Sequence, residues 1–204
     1  MSDNPELTEN KHAARSRATR DKLVTAARAL FAERGFAAVG TEEIVRAAGV
    51  TRGALYHQFR DKEALFEAVF EALEAETTQR IADGSLAGGA ADPLEALRAG
   101  ARQFLRECAE PDVERILLLD APAVLGWKRW REIGMQYGLG LTTAVLQAGM
   151  DAGAIARQPV APLAHLLLGA LDEGAMYVAR AEDRDAARAE VEQVVDRLLD
   201  GLAP

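Results

Sequence analysis

The sequence predicts an all-α chain of about nine helices, and three observations carry that expectation. Period-2 alternation of apolar and polar residues is nowhere sustained, and no Asn-Gly or Asp-Gly turn joins two alternating runs. Apolar residues instead recur three and four apart, as in Leu23, Ala26, Ala27, Leu30 and Phe31, the spacing that lines one face of a helix. Glycines and prolines interrupt these runs where helices would end.

Taken in order, Gly35 stops the first helix. Thr41 is expected to cap a short second helix, with Glu42 and Glu43 complementing the positive end of its dipole. Ile44, Ala47 and Ala48 face inward, and Gly49 ends the helix with a left-handed backbone. Thr51 caps a third helix that runs to about Phe59. Asp61 caps a fourth, which buries Leu65, Phe66, Val69, Phe70 and Leu73. The stretch Asp83 to Asp92 reads as a low-complexity loop, and Pro93 suits the first turn of the next helix. Further helices are expected at about 92–109, 111–120, 127–151, 160–181 and 184–202, separated by Pro111, Pro122, the Gly153 region, Pro159 and Pro162. No repeat of 20–50 residues and no heptad seam is present.

Composition narrows the function classes. Of 204 residues 49% are hydrophobic and 27% charged, enough for a buried core in a soluble protein. No apolar run approaches the roughly 20 residues of a membrane span, and the N-terminal residues lack the apolar segment of a secretory signal. One cysteine, Cys108, excludes an intramolecular disulfide and fits a reducing compartment. A cytoplasmic location follows as the expectation. Catalysis has few parts to draw on: there is no His-Glu-x-x-His, Cys-x-x-Cys, P-loop or Gly-x-Ser-x-Gly, and only three histidines. Gly138-Leu139-Gly140 lies in a helical pattern with no strand before it, so it is no dinucleotide fingerprint. No enzyme activity, cofactor or metal is expected. A purely structural helical adaptor is the other rival.

The net charge of −8 conceals a polarity. Residues 10–62 carry eleven Lys/Arg against five Asp/Glu, a net +6, so the rest of the chain carries −14. Attraction to phosphate depends on the local field, so a basic head on an acidic body suits nucleic acid. The head also has the spacing of a helix-turn-helix. Ala48 lets two helices approach, Gly49 turns the chain, Val50 plugs the angle and Thr51 starts the second helix. Leu55 and Phe59 then point to the core, while Arg52, Gly53, Tyr56 and His57 face outward and the small Gly53 and Ala54 allow close approach to base edges. An outward Tyr-His pair argues against a merely structural helix.

The array Ala26-Ala27, Leu30-Phe31, Gly35-Phe36, Thr41, Ile44, Ala47 to Phe59 and Lys62 to Leu65 resembles the DNA-binding domain of the tetracycline-repressor (TetR) family. The resemblance implies a homodimer on a palindromic DNA operator, each recognition helix in a major groove. It implies phosphate contacts from Thr41 and Lys62, and a recognition surface of Thr51, Arg52, Gly53, Ala54, Tyr56 and His57. Gln58 departs from the histidine frequent at its position. Arg15, Arg17 and Arg20 are either backbone contacts from an arm or a solvated tail. The domains expected are a disordered arm over 1–14, the helix-turn-helix domain over 15–62, and an effector-binding and dimerisation domain over 63–204.

In the acidic body, Trp127, Trp130, Gly134, Tyr137, Leu141 and Val145 fall on one helical face, lining an effector cavity or simply packing as core. Phe104 and Cys108 share a face that could line the same space, and His165, Asp172 and Met176 are further candidates. Asp172 would meet a cationic effector or a neighbouring arginine. The last two helices, with Leu163, Leu167, Ala170, Leu171, Gly174, Ala175 and Val178, then Val191, Val194, Val195, Leu198 and Leu199, suit a four-helix homodimer interface. The functional expectation is a repressor released from its operator by a small molecule. Activation, or regulation without a ligand, stays open as the alternative.

Overall fold

The computed structural model describes residues 5–87 and 92–204, the side chains of 5–12 and 85–87 excepted. Its helices are α1 (Pro5–Arg34), α2 (Thr41–Ala48), α3 (Arg52–Gln58), α4 (Lys62–Ala87), α5 (Pro93–Glu107), α6 (Pro111–Val113), α7 (Ala121–Val124), α8 (Gly126–Asp151), α9 (Val160–Arg180) and α10 (Arg184–Asp200). A π-helical segment, Glu114–Asp120, joins α6 to α7. No strand occurs among the described residues, and no helix there is long and apolar enough to cross a membrane.

The chain divides into two compact units, Met1–Glu71 and Ala72–Pro204. The division falls inside α4 rather than at the expected 62/63 boundary, for a packing reason. Phe66 meets Phe31 and Phe36 edge-on at 5.4 and 5.2 Å between ring centres, so the first turns of α4 complete the first unit's core. Helix is also described from Pro5, where an arm was expected over 1–14; residues 1–4 of that arm lie outside the described residues. Leu, Glu, Lys and Ala dominate this stretch and favour helix, with Pro5 at the first turn. Similarly, α4 reaches Ala87, five residues into the expected loop, and residues 88–91 lie outside the description.

Local chemistry sets the ends of the short helices. The Gly40 backbone N–H donates to Glu43 Oε2 at 3.1 Å, so Gly40 is the N-cap of α2 and Thr41 its first helical residue. This corrects the expectation that Thr41 caps the helix: the Glu43 carboxylate reaches back and does so, while also pairing with Arg34 at 2.8 Å. Gly49 adopts φ 63°, ψ 35°. Its N–H reaches Arg46 O at 3.2 Å and that of Val50 reaches Val45 O at 3.1 Å, closing the last turn of α2. Thr51 Oγ1 accepts from the Ala54 N–H at 3.1 Å, and Asp61 Oδ1 from the Ala64 N–H at 2.7 Å.

In the second unit α5, α8, α9 and α10 pack around Leu94, Ala101, Leu146, Ile155, Val195 and Leu199. Arg102 on α5 binds Asp196 on α10 at 3.0 Å, and Arg98 pairs with Asp200. The face of α9 and α10 expected to form a dimer interface is mostly turned inward: Leu163, Leu167, Leu171 and Val191 pack against this core. The large apolar residues these helices leave exposed are Leu166, Tyr177, Val194 and Leu198.

The π-helical turn replaces the plain helix expected at 111–120. Pro122 has no N–H to offer the carbonyl of residue 118 and its ring crowds that carbonyl, and the Ala121 N–H bonds instead to Ile116 O, five residues back. Ile116, Leu117 and Leu118 are buried by this arrangement and Leu119 is left partly exposed.

Gly49→Ala has room for its methyl group, so its cost is the left-handed backbone alone, about 1–2 kcal/mol. Thermal unfolding of the variant should show a drop of that order, with Gly49→Asn recovering part of it. An unchanged midpoint would contradict the assignment.

Candidate nucleic-acid interface and effector cavity

The first unit sorts α3 into two faces. Leu55 is fully buried and Phe59, its C-cap, nearly so, whereas Tyr56 keeps 44% of its surface exposed. Thr51, Arg52, Gly53 and His57 are exposed and Ala54 is half-buried. Arg52 lies 5.6 Å from the centre of the Tyr56 ring and 3.4 Å from Glu42, a largely solvated pair that competes weakly with any other anion. The exposed face therefore carries a guanidinium, a phenol and an imidazole around one glycine, a donor set able to meet both phosphate and base edges.

Three basic or amide side chains that the sequence offered as contacts have structural partners. Lys62 donates to Phe36 O at 3.0 Å and Val39 O at 3.1 Å, with its ammonium 3.9 Å above the Phe36 ring. Two of its three N–H donors thus tie α4 to the α1–α2 connection. Gln58 donates to Ser16 Oγ at 2.8 Å, linking α3 to α1. Arg20 lies 4.5 Å over the Phe59 ring, a place on the folded unit rather than in a tail. Arg15, Ser16, Thr19, Ala54, His57 and Gln58 border one groove between α1 and α3. Thr41, in the first turn of α2, is half-buried.

The second unit contains a cavity of about 310 Å³, within the range of small-molecule sites. Five of the nine expected residues line it: Phe104, Cys108, Trp130, Leu141 and Asp172. Trp127, Tyr137, His165 and Met176 do not. Trp127 shares the angular position of Gly134 but sits at the start of α8, with 60% of its surface exposed, and it stacks on Trp130 with ring centres 4.8 Å apart. Tyr137 is half-buried and stands outside the cavity wall. His165 is exposed, its carbonyl accepting from Arg131 at 3.3 Å. Met176 is buried in packing, one turn past the end of the cavity wall that Asp172 closes on α9.

The wall is held by specific contacts. Trp130 Nε1 donates to Leu117 O at 2.9 Å, satisfying a carbonyl of the π-helical turn and fixing the indole at the cavity edge. Asp172, on the cavity wall, is bonded to the neighbouring Arg131. Burial still raises its carboxyl to about 6, the arginine opposing that rise. Burial pushes the Cys108 thiol well up, aided by nearby carboxylates, so it lines the cavity as a neutral thiol.

Sequence reasoning missed Glu74 on α4. It lines the cavity, and burial raises its carboxyl to about 8, with the Asp172 charge acting in the same direction. Its position, one residue past the buried Leu73, gave no signal, because an acid on an amphipathic helix ordinarily reads as solvated. Such a group is a pH-dependent liability. Its folded pKa lies above the ordinary value near 4.3, so the stability it permits is complete below about pH 4 and is lost as pH rises through 8. Chemical denaturation should show stability falling by more than about 1 kcal/mol between pH 5 and pH 8.5. Glu74→Gln should remove most of the fall above pH 6. An identical slope in the variant would refute the placement of this carboxyl.

Comparison with known proteins agrees with this architecture. Residues 23–69 match the family described as bacterial regulatory proteins, tetR family, and residues 94–202 match the tetracyclin repressor-like C-terminal domain. The transposon Tn10 TetC protein of Escherichia coli is 28% identical over 134 residues, 64% of this chain and 64% of that protein. The HTH-type transcriptional repressor Rv1474c of Mycobacterium tuberculosis is 32% identical over 60% of this chain and 62% of its own length. The chain thus spans somewhat under two thirds of these curated relatives. A solved TetR-family transcriptional regulator from Pectobacterium atrosepticum is 34% identical, with a TM-score of 0.82 covering 93% of this chain and 96% of that one. RolR in complex with resorcinol, 22% identical over 94% of this chain and 98% of its own at a TM-score of 0.71, shares the fold. With one family match on the helix-turn-helix and another over most of the C-terminal unit, the chain belongs to the tetracycline-repressor family of bacterial regulators.

Proposed function

We propose that this chain is a DNA-binding transcriptional regulator, not an enzyme: a cytoplasmic homodimeric repressor that leaves a palindromic operator when a small molecule fills the C-terminal cavity. The observation that carries the reading is the division of α3, with Leu55 and Phe59 taking up its attachment while Arg52, Gly53, Tyr56 and His57 stay outward. Arg52, paired with a solvated carboxylate beside the Tyr56 ring, can exchange that carboxylate for a guanine edge or a phosphate. The exposed Leu166, Tyr177, Val194 and Leu198 supply an apolar surface for a second copy on α9 and α10. Because α4 carries Phe66 into one core and Glu74 to the cavity wall, it is the element through which occupancy would reach the head.

Arg52 and Lys62 should separate in a mobility-shift titration on the operator. Arg52→Ala is expected to cost about 1–3 kcal/mol at one base position, relaxing sequence preference with the thermal midpoint unchanged. Lys62→Met should weaken binding to every sequence and flatten the salt dependence. It should also destabilise the chain by about 1.5–3 kcal/mol, since two charge-assisted hydrogen bonds disappear. Normal operator affinity in both variants would sink this assignment of the interface.

A further inference from the structure

Three charged side chains line the cavity, and two of them answer each other. Arg131 on α8 is bonded to Asp172 on α9 and spends another guanidinium N–H on the His165 carbonyl. Glu74 on α4 has no hydrogen-bond or ion-pair partner among the described residues. Its Oε1 looks across to α8 at Gly134, where even an added Cβ would stand 3.7 Å away. A larger side chain at that position would cover the carboxyl. Glycine leaves it facing the open volume.

The remaining surroundings give the site its sign. Of the other groups facing this space, Asp172 and Arg131 cancel, and the Cys108 thiol at the end of α5 is neutral. Glu107, beside Cys108, is held by Arg80 at 2.5 Å and by Gln103 at 2.6 Å. An ionised Glu74 therefore leaves the cavity one negative charge in excess. Around it the lining is largely apolar, with Phe104 and the edge-fixed Trp130 as its aromatic members and Thr77, Thr78 and Thr142 adding hydroxyls. A carboxylate in such surroundings is costly until a counter-charge arrives, and a cation beside aromatic faces is further favoured.

We propose that Glu74 anchors a cationic effector, a molecule with one ammonium group on an apolar body about the size of a bicyclic ring. This rests on reading the cavity as the effector site, and it goes further by assigning the charge and the anchoring residue. A neutral molecule of the same shape leaves Glu74 without a partner. An anion meets repulsion from the ionised Glu74, since Asp172 is already paired with Arg131.

Three indole probes of nearly equal size test the sign directly: tryptamine (cation), indole-3-ethanol (neutral) and indole-3-propionate (anion). Calorimetric titration of the full chain without DNA, run above pH 8 so that Glu74 is ionised, should give tryptamine at least about tenfold tighter binding than indole-3-ethanol, the gain expected of one charge-assisted contact. Indole-3-propionate should bind weakest. In Glu74→Gln the advantage of tryptamine should shrink to within about twofold while indole-3-ethanol keeps its affinity. The proposal is overturned if the neutral or anionic probe binds as well as tryptamine to the native chain. It is equally overturned if tryptamine fails to bind at millimolar concentration, or if Glu74→Gln keeps the full preference. Parallel mobility shifts separate this outcome from that of the regulatory reading. Cation preference with no change in operator affinity would sink induction but retain the Glu74 anchor. Operator release by indole-3-ethanol without cation preference would do the reverse.

Discussion

A helix of seven residues cannot hold itself in water, and what the first unit shows to solvent depends on how α3 is clamped. Two apolar side chains attach it: Leu55, fully buried, and Phe59, which lies beneath the Arg20 guanidinium. Its ends are secured by the Thr51 cap and by the left-handed turn at Gly49. Gln58 adds a hydrogen bond to α1. Since these contacts take up the inner face and both ends, the outer face carries no structural duty. Arg52, Tyr56 and His57 are left to make contacts elsewhere.

Lys62 is clamped in the same way, and its clamped position bears on the phosphate contact proposed for it. Its ammonium is held by two carbonyls at the α1–α2 connection, and a positive charge fixed at the start of α4 is also well suited to a phosphate. A side chain tied down in advance loses less conformational entropy on meeting an anion than a free lysine would. The structural bonds and the phosphate role inferred from the family are therefore compatible.

In the second unit the opposite constraint holds. Close packing is the norm in protein interiors, so an open volume of about 310 Å³ is surface left uncompensated. A partly buried acid on its wall adds to that cost. The surrounding frame offsets it, through the apolar cluster around Leu146 and Ile155, the arginine–aspartate pairs between α5 and α10, and the indole bonded to the π-helical turn. A molecule that fills the volume and pairs with Glu74 would bind the native state alone and so stabilise it.

Helix identity, the turn at Gly49, the caps at Thr51 and Asp61 and the two faces of α3 were legible in the sequence, because each depends on residues within about four positions of one another. The exceptions were also local: a carboxylate reaching back from Glu43 displaced Thr41 as cap, and Pro122 widened a turn into a π-helix. Periodicity grouped Trp127 with Trp130 and Leu141, and five of nine cavity candidates do line the space. It could not tell which end of α8 the cavity reaches, which turned Trp127 to solvent. Nor could it say that the leucines of α9 at 163, 167 and 171 face their own core, or that Glu74 stands on the cavity wall. Spacing along a helix determines which side chains share a face. Only the packing of helices far apart in the chain decides what that face meets, and with it which acid finds an arginine and which is left facing the open volume.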